Sequence, residues 1–485
     1  MTRSLSLVSL FSLALLSPLA GCSSGEGSDN SGTPDMTWTV DLGGSSRTDM
    51  GVPKSGSTLV FASVGGVGNE AAQAVATDAA GNIYVTGPYV GGLDLGGGAL
   101  QNAGKNDLYV AKFDAAGKHL WSKSFGGVGQ DTGSAVTLDR SGNVWVTGSF
   151  QNVVDFGGGM LTSAGNSDVF ILSLGGADGA YRSAWRYGGG DNETAVGIGV
   201  DSTGAVVITG AFGTSVDFGG GMLTSAGNFD GYLLKVSSTG AYVWARRFGD
   251  YEVDTGSGVV IGAGDDVFMV GSFVGTSDIG GGAVNAAGPM LGEVLVARLS
   301  ATGTVKWSKG IGARFDAYFP AIALDPSGNL FLATTFEGSC SVGGAIYNSD
   351  GFTDVAVAKW TGDGVHEWSY QLSGPGYEYS DGVTSDPQGN MIVVGHFNGQ
   401  AKFGGPYIKS YGNYDSFVSK LGGSNGQHIF SLHLGGPGID ATNDVVADPQ
   451  GNVWVAGQYD TVGEFGTGVI DAKGGTDSFL VKLAP

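Results

Sequence analysis

The sequence predicts an all-β fold, a seven-bladed β-propeller of four-stranded antiparallel blades, from three observations. First, a glycine-led turn of the type GNxxVxG recurs at Gly81, Gly142, Gly204, Gly264, Gly328, Gly389 and Gly451, spaced by 61, 62, 60, 64, 61 and 62 residues. A period this even means one supersecondary unit used repeatedly. Second, each copy holds four short runs of alternating, β-branched or aromatic residues, named A to D here. Third, the last copy stops after strand C, while an unpaired D-like strand precedes the first copy. Four-stranded sheets packed face to face around a ring satisfy all three. A β-solenoid has shorter repeats and need not close, and a two-sheet sandwich would not show seven near-equal units.

In the second copy the four runs are 134–138, 144–150, 168–174 and 183–187. The A–B link is a short hairpin opening on Asp139 and containing Gly142, where the aspartate bonds its own backbone and glycine supplies the left-handed conformation. The same turn recurs at 78–82, 325–329, 386–390 and 448–452. The C–D links also carry glycine, at Gly117, Gly240, Gly303, Gly364 and Gly426, so turns account for the 91 glycines in 485 residues. A tryptophan near the start of strand D, at 121, 185, 244, 307 and 368, with Phe430 in the sixth copy, is expected to be a packing wedge between blades. The run 59–66 matches the D strand at 122–127 and is expected to complete the seventh blade and shut the ring.

The first 21 residues read as a leader, with Arg3 ahead of an apolar run and Leu19-Ala20-Gly21-Cys22 at its end. The run is short against the roughly 20 apolar residues of a membrane span. The segment resembles a bacterial lipoprotein signal with its lipobox. That resemblance implies that Cys22 becomes the lipid-bearing N-terminus, and several acyl chains make such an anchor stable. Residues 22–57 are rich in Ser, Gly, Thr and Asp and read as a flexible tether, the short Trp38-Thr39-Val40 included; the propeller is expected over 58–485. Ser23 after the cysteine points toward the outer membrane. Removing Arg3 with the leader leaves 22 basic against 45 acidic residues, a net charge of −23. A nucleic acid or an anionic membrane surface would be repelled, so the membrane enters only through the lipid. Cys340 is the one cysteine besides the lipid-bearing Cys22, so no intrachain disulfide is expected in the processed chain, and stability must come from packing.

The repeat DxxGNxYVTG…DFGG…LTSxGxxDxFVAKL…G…W resembles the bacterial β-propeller repeat family of the SBBP type, over about 58–485. Blade 4 departs from it with Gly264-Asp265-Asp266 in place of the Gly-Asn turn, and blade 5 with Ser341 in place of the Asp of DFGG. The resemblance implies a fold and a surface setting, and no agreed chemistry.

Acids open strand C in every copy: Asp107, Asp168, Asp230, Glu293, Asp354, Asp415 and Asp477. These read as turn-stabilising carboxylates bonded to nearby backbone amides. A second series precedes strand A: Glu70, Asp131, Glu193, Asp254, Asp316, Glu378 and Asp440. Strand A lines the channel of a propeller, so these acids are expected around one mouth. Solvated turn acids are the leading reading; a cation site is the sharper one, with Ca²⁺ as the fitting cofactor because several oxygens would surround it. No Asp-x-Asp-x-Asp-Gly loop accompanies them. His119, His366 and His428 occupy one repeat position near the outer edge and are expected to be exposed; His396 and His433 lie elsewhere, and the five make no metal or catalytic set. No HExxH, GxSxG elbow or P-loop occurs. The sialidase-type SxDxGxTW box is absent as well.

The copies disagree most in one sector. The D–A and B–C links share one face of a propeller. On the links to blades 4, 5 and 6 stand Tyr251, then Arg314, Phe315, Tyr318 and Phe319, then Tyr377 and Tyr379; the B–C links of blades 5 and 6 add Tyr347, Phe352, Tyr407, Tyr411 and Tyr414. Local packing and a recognition patch explain this equally well. The function read from the sequence is therefore a lipid-anchored envelope propeller, expected to be monomeric, that binds a polysaccharide or protein ligand or serves as a scaffold. A hydrolase or lyase working at the channel mouth is the runner-up, and a purely structural surface protein comes third.

Overall fold

The structure is a computed structural model; it describes Trp38–Thr39 and residues 55–485, apart from 67, 287–291, 313–316 and 467. The leader, Cys22 and most of the tether lie outside the described residues. The chain forms a seven-bladed β-propeller. Blade 2 runs Thr132–Leu138, Val144–Phe150, Asp168–Leu174 and Tyr181–Tyr187, with D, C, B and A hydrogen-bonded in that order.

The repeated turn works as its residues dictate. Asp139 accepts the amides of Ser141 and Asn143 at 2.8 and 2.9 Å, Asn143 returns a side-chain bond to it at 2.7 Å, and Gly142 takes φ 78°. The closing glycine of GNxxVxG has a different cause. Strand A bulges opposite it, and a Cβ on Gly148 would lie 1.8 Å from the carbonyl oxygen of Thr132. Only a residue without Cβ admits that approach.

Ring closure follows the expected route. Thr58–Val64 pairs antiparallel with Asp477–Leu483, with Ala62 opposite Leu480, and so supplies strand D of blade 7. One difference appears at its outer edge. Trp38–Thr39, read from sequence as tether, pairs with Phe61 and Ala62 and gives this sheet a fifth strand. A bare D strand offers unpaired amides that even a two-residue segment can satisfy.

The core lies between blades. Each blade–blade interface holds its own apolar cluster; the one that shuts the ring joins Trp454 and Leu480 of blade 7 to Ile83, Val85 and Tyr109 of blade 1 and to Val60 and Ala62 of the closing strand. The D-strand tryptophan is the wedge expected, with a polar lock added. Trp368 Nε1 and Lys359 Nζ both donate to the Gly423 carbonyl of blade 6, at 3.1 and 2.9 Å. Trp244 with Lys235 does the same to Ala301, and Trp307 with Arg298 to Gly362. Each cation also pairs with an aspartate of its own blade's A–B turn, as Lys359 does with Asp325 at 3.0 Å. The apolar wedge and a neutralised cation are thus fixed on one carbonyl of the next blade.

Candidate functional site

The acids that open strand C are turn-stabilising, as expected, and more deeply set than a turn requires. Asp107, Asp168, Asp230, Asp354, Asp415 and Asp477 each accept the amide of the residue four positions earlier, at distances between 2.6 Å (Tyr411 N) and 3.1 Å (Ala226 N). All are buried. In blades 2, 3, 5 and 6 a strand-D side chain reaches the same carboxylate: Arg186, Arg247, Gln371 and His433.

The second series requires a correction. Glu70, Asp131, Glu193, Asp254, Glu378 and Asp440 are not solvated turn acids; their exposure is 2 % or less. Each accepts an amide from the D–A turn before it, at Gly66, Gly127, Gly189, Asp250, Gly374 and Gly436. The preceding blade's strand C packs over them, so the acid opening strand C of one blade faces the acid opening strand A of the next. Burial first, and in five of the six a neighbouring carboxylate of that preceding blade as well, pushes Glu378 up to about 9, Glu70 to about 8, and Glu193 and Asp440 to about 7. Asp131 and Asp254 rise to about 6, burial again leading. Among the described residues no three His, Cys, Asp or Glu side chains converge as a metal cage would require. Asp316 lies outside the described residues.

These raised values predict the pH response. A carboxyl whose folded-state pKa stands above its ordinary value, 4.5 for glutamate and 3.8 for aspartate, favours folding fully below that ordinary value. The advantage is lost as pH climbs through about 6 to about 9. The A–B turn aspartates Asp78, Asp139, Asp201, Asp325 and Asp386 are held low and lose their contribution in acid. Stability is therefore expected to peak in mild acid and decline toward alkaline pH. Glu378→Gln should raise Tm at about pH 8, by about 1–3 kcal/mol of stability, and leave it near wild type at about pH 5. Thermal unfolding of both proteins across that range measures the difference.

The aromatic sector resolves into one connected row. Tyr377 and Tyr379 stand at the D–A link and first residues of blade 6, and Phe352 on the facing edge of blade 5. A parallel bridge between Thr353 and Tyr377 holds the two links side by side. Phe352 stacks on Tyr377 at 4.4 Å and 6°, Tyr377 on Tyr379 at 6.2 Å and 6°, and Tyr379 on His396 at 4.8 Å and 24°. Tyr414 closes on Tyr379 and His396 at 6.3 and 5.6 Å. Phe352 is exposed, and Tyr377, Tyr379, His396 and Tyr414 are half-buried. Burial, then Tyr414, pushes the Tyr379 hydroxyl up to about 12. At the inner end His396 Nδ1 meets Asp381 at 2.9 Å, and Asp381 accepts the Thr442 hydroxyl of blade 7 at 2.8 Å.

The other aromatics read from sequence are distributed differently. Tyr347 packs on the core between blades 4 and 5, its hydroxyl 2.9 Å from Ser369 Oγ. Tyr407 lies against Lys402, and Tyr411 against His433. Tyr251 is exposed beside the blade 4 B–C link. Arg314 and Phe315, and the side chains of Tyr318 and Phe319, lie outside the described residues. His119, His366 and His428 are half-buried rather than exposed, because they pack on the glycines of the B–C hairpins. Sequence reasoning missed His396 and Asp381. The signal was available by comparing copies: the position of His396 is Ser149, Ser272, Thr335 and Gln458 elsewhere, and that of Asp381 is Ser134, Ser257 and Asn443.

No family model matches the chain. An uncharacterized WD repeat-containing protein of Acanthamoeba polyphaga mimivirus is 21% identical over an alignment of 197 residues, with 34% of this chain and 14% of that protein covered. The match therefore spans only a small part of that relative's length. Among solved structures, BamB from Moraxella catarrhalis is similar with a TM-score of 0.36 and 13% identity, over 87% of this chain and 85% of that one. The Pan2 WD40 domain of Neurospora crassa reaches 0.43 with 10% identity, over 86% and 90%. The polysaccharide lyase Uly1 reaches 0.45 with 8% identity, over 86% and 90%. By its own strand pairing, the chain is a seven-bladed β-propeller.

Proposed function

We propose that this is a lipid-anchored cell-envelope protein, of the outer membrane by the residue after its cysteine, whose propeller binds a polysaccharide or protein ligand on the aromatic row of blades 5 and 6. One observation carries the reading: the row breaks the sevenfold pattern on a face where fold maintenance does not demand it. The position of Tyr379 is Ala71, Thr132, Thr194, Thr255 and Ala441 in other blades, which close their interfaces without a ring there. Aromatic side chains give large contact area for few rotatable bonds, which suits recognition. The bacterial propeller-repeat resemblance and the lipobox at Cys22 support the envelope setting. A hydrolase or lyase reading has the His396–Asp381 couple in its favour. Binding is preferred because the couple sits within a stack of rings rather than a convergent acid, base and nucleophile. A cation at the strand-A acids has less support, since each described acid is already bonded to its own turn.

The experiment is a glycan-array and pull-down screen with the full chain. Tyr377→Ala with Tyr379→Ala should weaken binding of what the screen returns by roughly tenfold or more, while Val128→Ala, on the matching link of blade 2, leaves it intact. Equal loss in both variants, or none in either, contradicts the reading. In the same cells Cys22→Ser should move the protein from the detergent phase to the soluble fraction; unchanged partitioning contradicts the anchor.

A further inference from the structure

We infer that the ligand of the aromatic row is a neutral saccharide chain, with a sugar ring on the open face of Phe352 and a sugar hydroxyl donated to Nε2 of His396. The inference rests on the row being a binding surface and names the class of ligand it takes.

The orientation of His396 is set from two sides. Asp381 faces Nδ1 at 2.9 Å, and that carboxylate is itself fixed by the Thr442 hydroxyl at 2.8 Å. A carboxylate beside Nδ1 keeps the proton there and leaves Nε2 as an acceptor. Stacking on Tyr379 and the edge contact with Tyr414 hold the ring plane. An acceptor fixed before the ligand arrives loses little entropy on binding.

The surroundings select the chemistry. Asp381 and Tyr379 face the imidazole from strand A of blade 6 and Tyr414 from the B–C link; Thr442 of blade 7 bonds Asp381, and Glu337 of blade 5 acts on Tyr379. Among the described residues, no Lys or Arg joins the hydrogen bonds, ion pairs or ring contacts of the row. With a net charge of −22, an anionic chain is repelled. A cation is held best between several ring faces, whereas here only Phe352, 57% exposed, is open and Tyr377, Tyr379 and His396 are half-buried along the row, so no cage of faces is on offer. What remains is one open aromatic face followed by phenol edges and acceptors. That sequence of groups fits the apolar face of a sugar followed by its hydroxyls. Four rings in line suit an extended chain better than a single sugar.

Affinity electrophoresis of the full chain tests this in gels containing laminarin, xylan, galactomannan or dextran as neutral polymers, alginate as an anionic one and chitosan oligosaccharide as a cationic one. At least one neutral polymer should retard the protein, and His396→Ala should weaken that binding roughly tenfold. His396→Gln, whose side-chain carbonyl can still accept a hydroxyl, should bind more tightly than the alanine variant and guards against misfolding of that variant. No retardation by any neutral polymer, a preference for alginate or chitosan, or unchanged binding by His396→Ala overturns the inference. Binding of chitosan or a protein that Tyr377→Ala abolishes overturns it too, while leaving the row as the binding surface. Binding that Tyr377→Ala does not alter overturns the row itself.

Discussion

A chain lacking Thr58–Val64 should lose its cooperative unfolding transition or melt roughly 10 °C or more below the full chain, whereas a chain beginning at residue 55 should melt close to it. Among the described residues, the closing strand is the only partner of the outer edge of Asp477–Leu483. Its Val60 and Ala62 are buried in the cluster that joins blades 7 and 1. Gly56 and Ser57 add backbone bonds to Ala484, and the Thr58 hydroxyl donates to the Phe465 carbonyl at 2.9 Å. Deletion opens a sheet edge and a blade interface together, and an open edge invites pairing between chains. Loss of Trp38–Thr39 removes only a two-residue strand from the outside. Differential scanning calorimetry of the two truncations decides the point: equal melting temperatures would mean that the ring does not depend on this strand.

The repeat was legible because its causes are local. The A–B hairpin needs an aspartate to bond its own amides and a glycine at positive φ, and both residues sit within five positions of each other. Closure was legible because an unmatched strand stood at each end of the repeat. The environment of Asp131 was not legible, since a polar, glycine-rich link reads as solvated. Its burial comes from the preceding blade, whose Asp107 lies 24 positions earlier and raises its pKa further. His396 and Asp381 look like ordinary strand residues alone; only the pairing of strands A and B sets them together. Trp38–Thr39 was unreadable for a related reason, because a two-residue strand has no periodicity.

The second large effect concerns the lock between blades 5 and 6. Trp368→Ala should cost about 3–5 kcal/mol, the range for removing a large buried aromatic side chain. Trp368→Phe should cost less, about 1–2 kcal/mol, because the wedge stays and the indole N–H to Gly423 is lost. Blade 6 already carries Phe430 at this position. Lys359→Met keeps much of the volume but leaves Asp325 without its 3.0 Å partner, with a loss of about 3–5 kcal/mol. Denaturant midpoints of the three variants give the order. A Trp368→Ala protein as stable as wild type would show that the wedge does not hold the interface.

The central claim is that recognition is confined to the one sector where the sevenfold pattern breaks. Hydrogen–deuterium exchange of the full chain, with and without the neutral polysaccharide that retards it most strongly, tests this directly. The account predicts new protection at 350–353, 377–381, 395–397 and 411–414, with the matching links of blades 1, 2 and 3 unchanged. Protection spread evenly over all seven blades, or centred on the A–B and C–D hairpins of the opposite face, would contradict it.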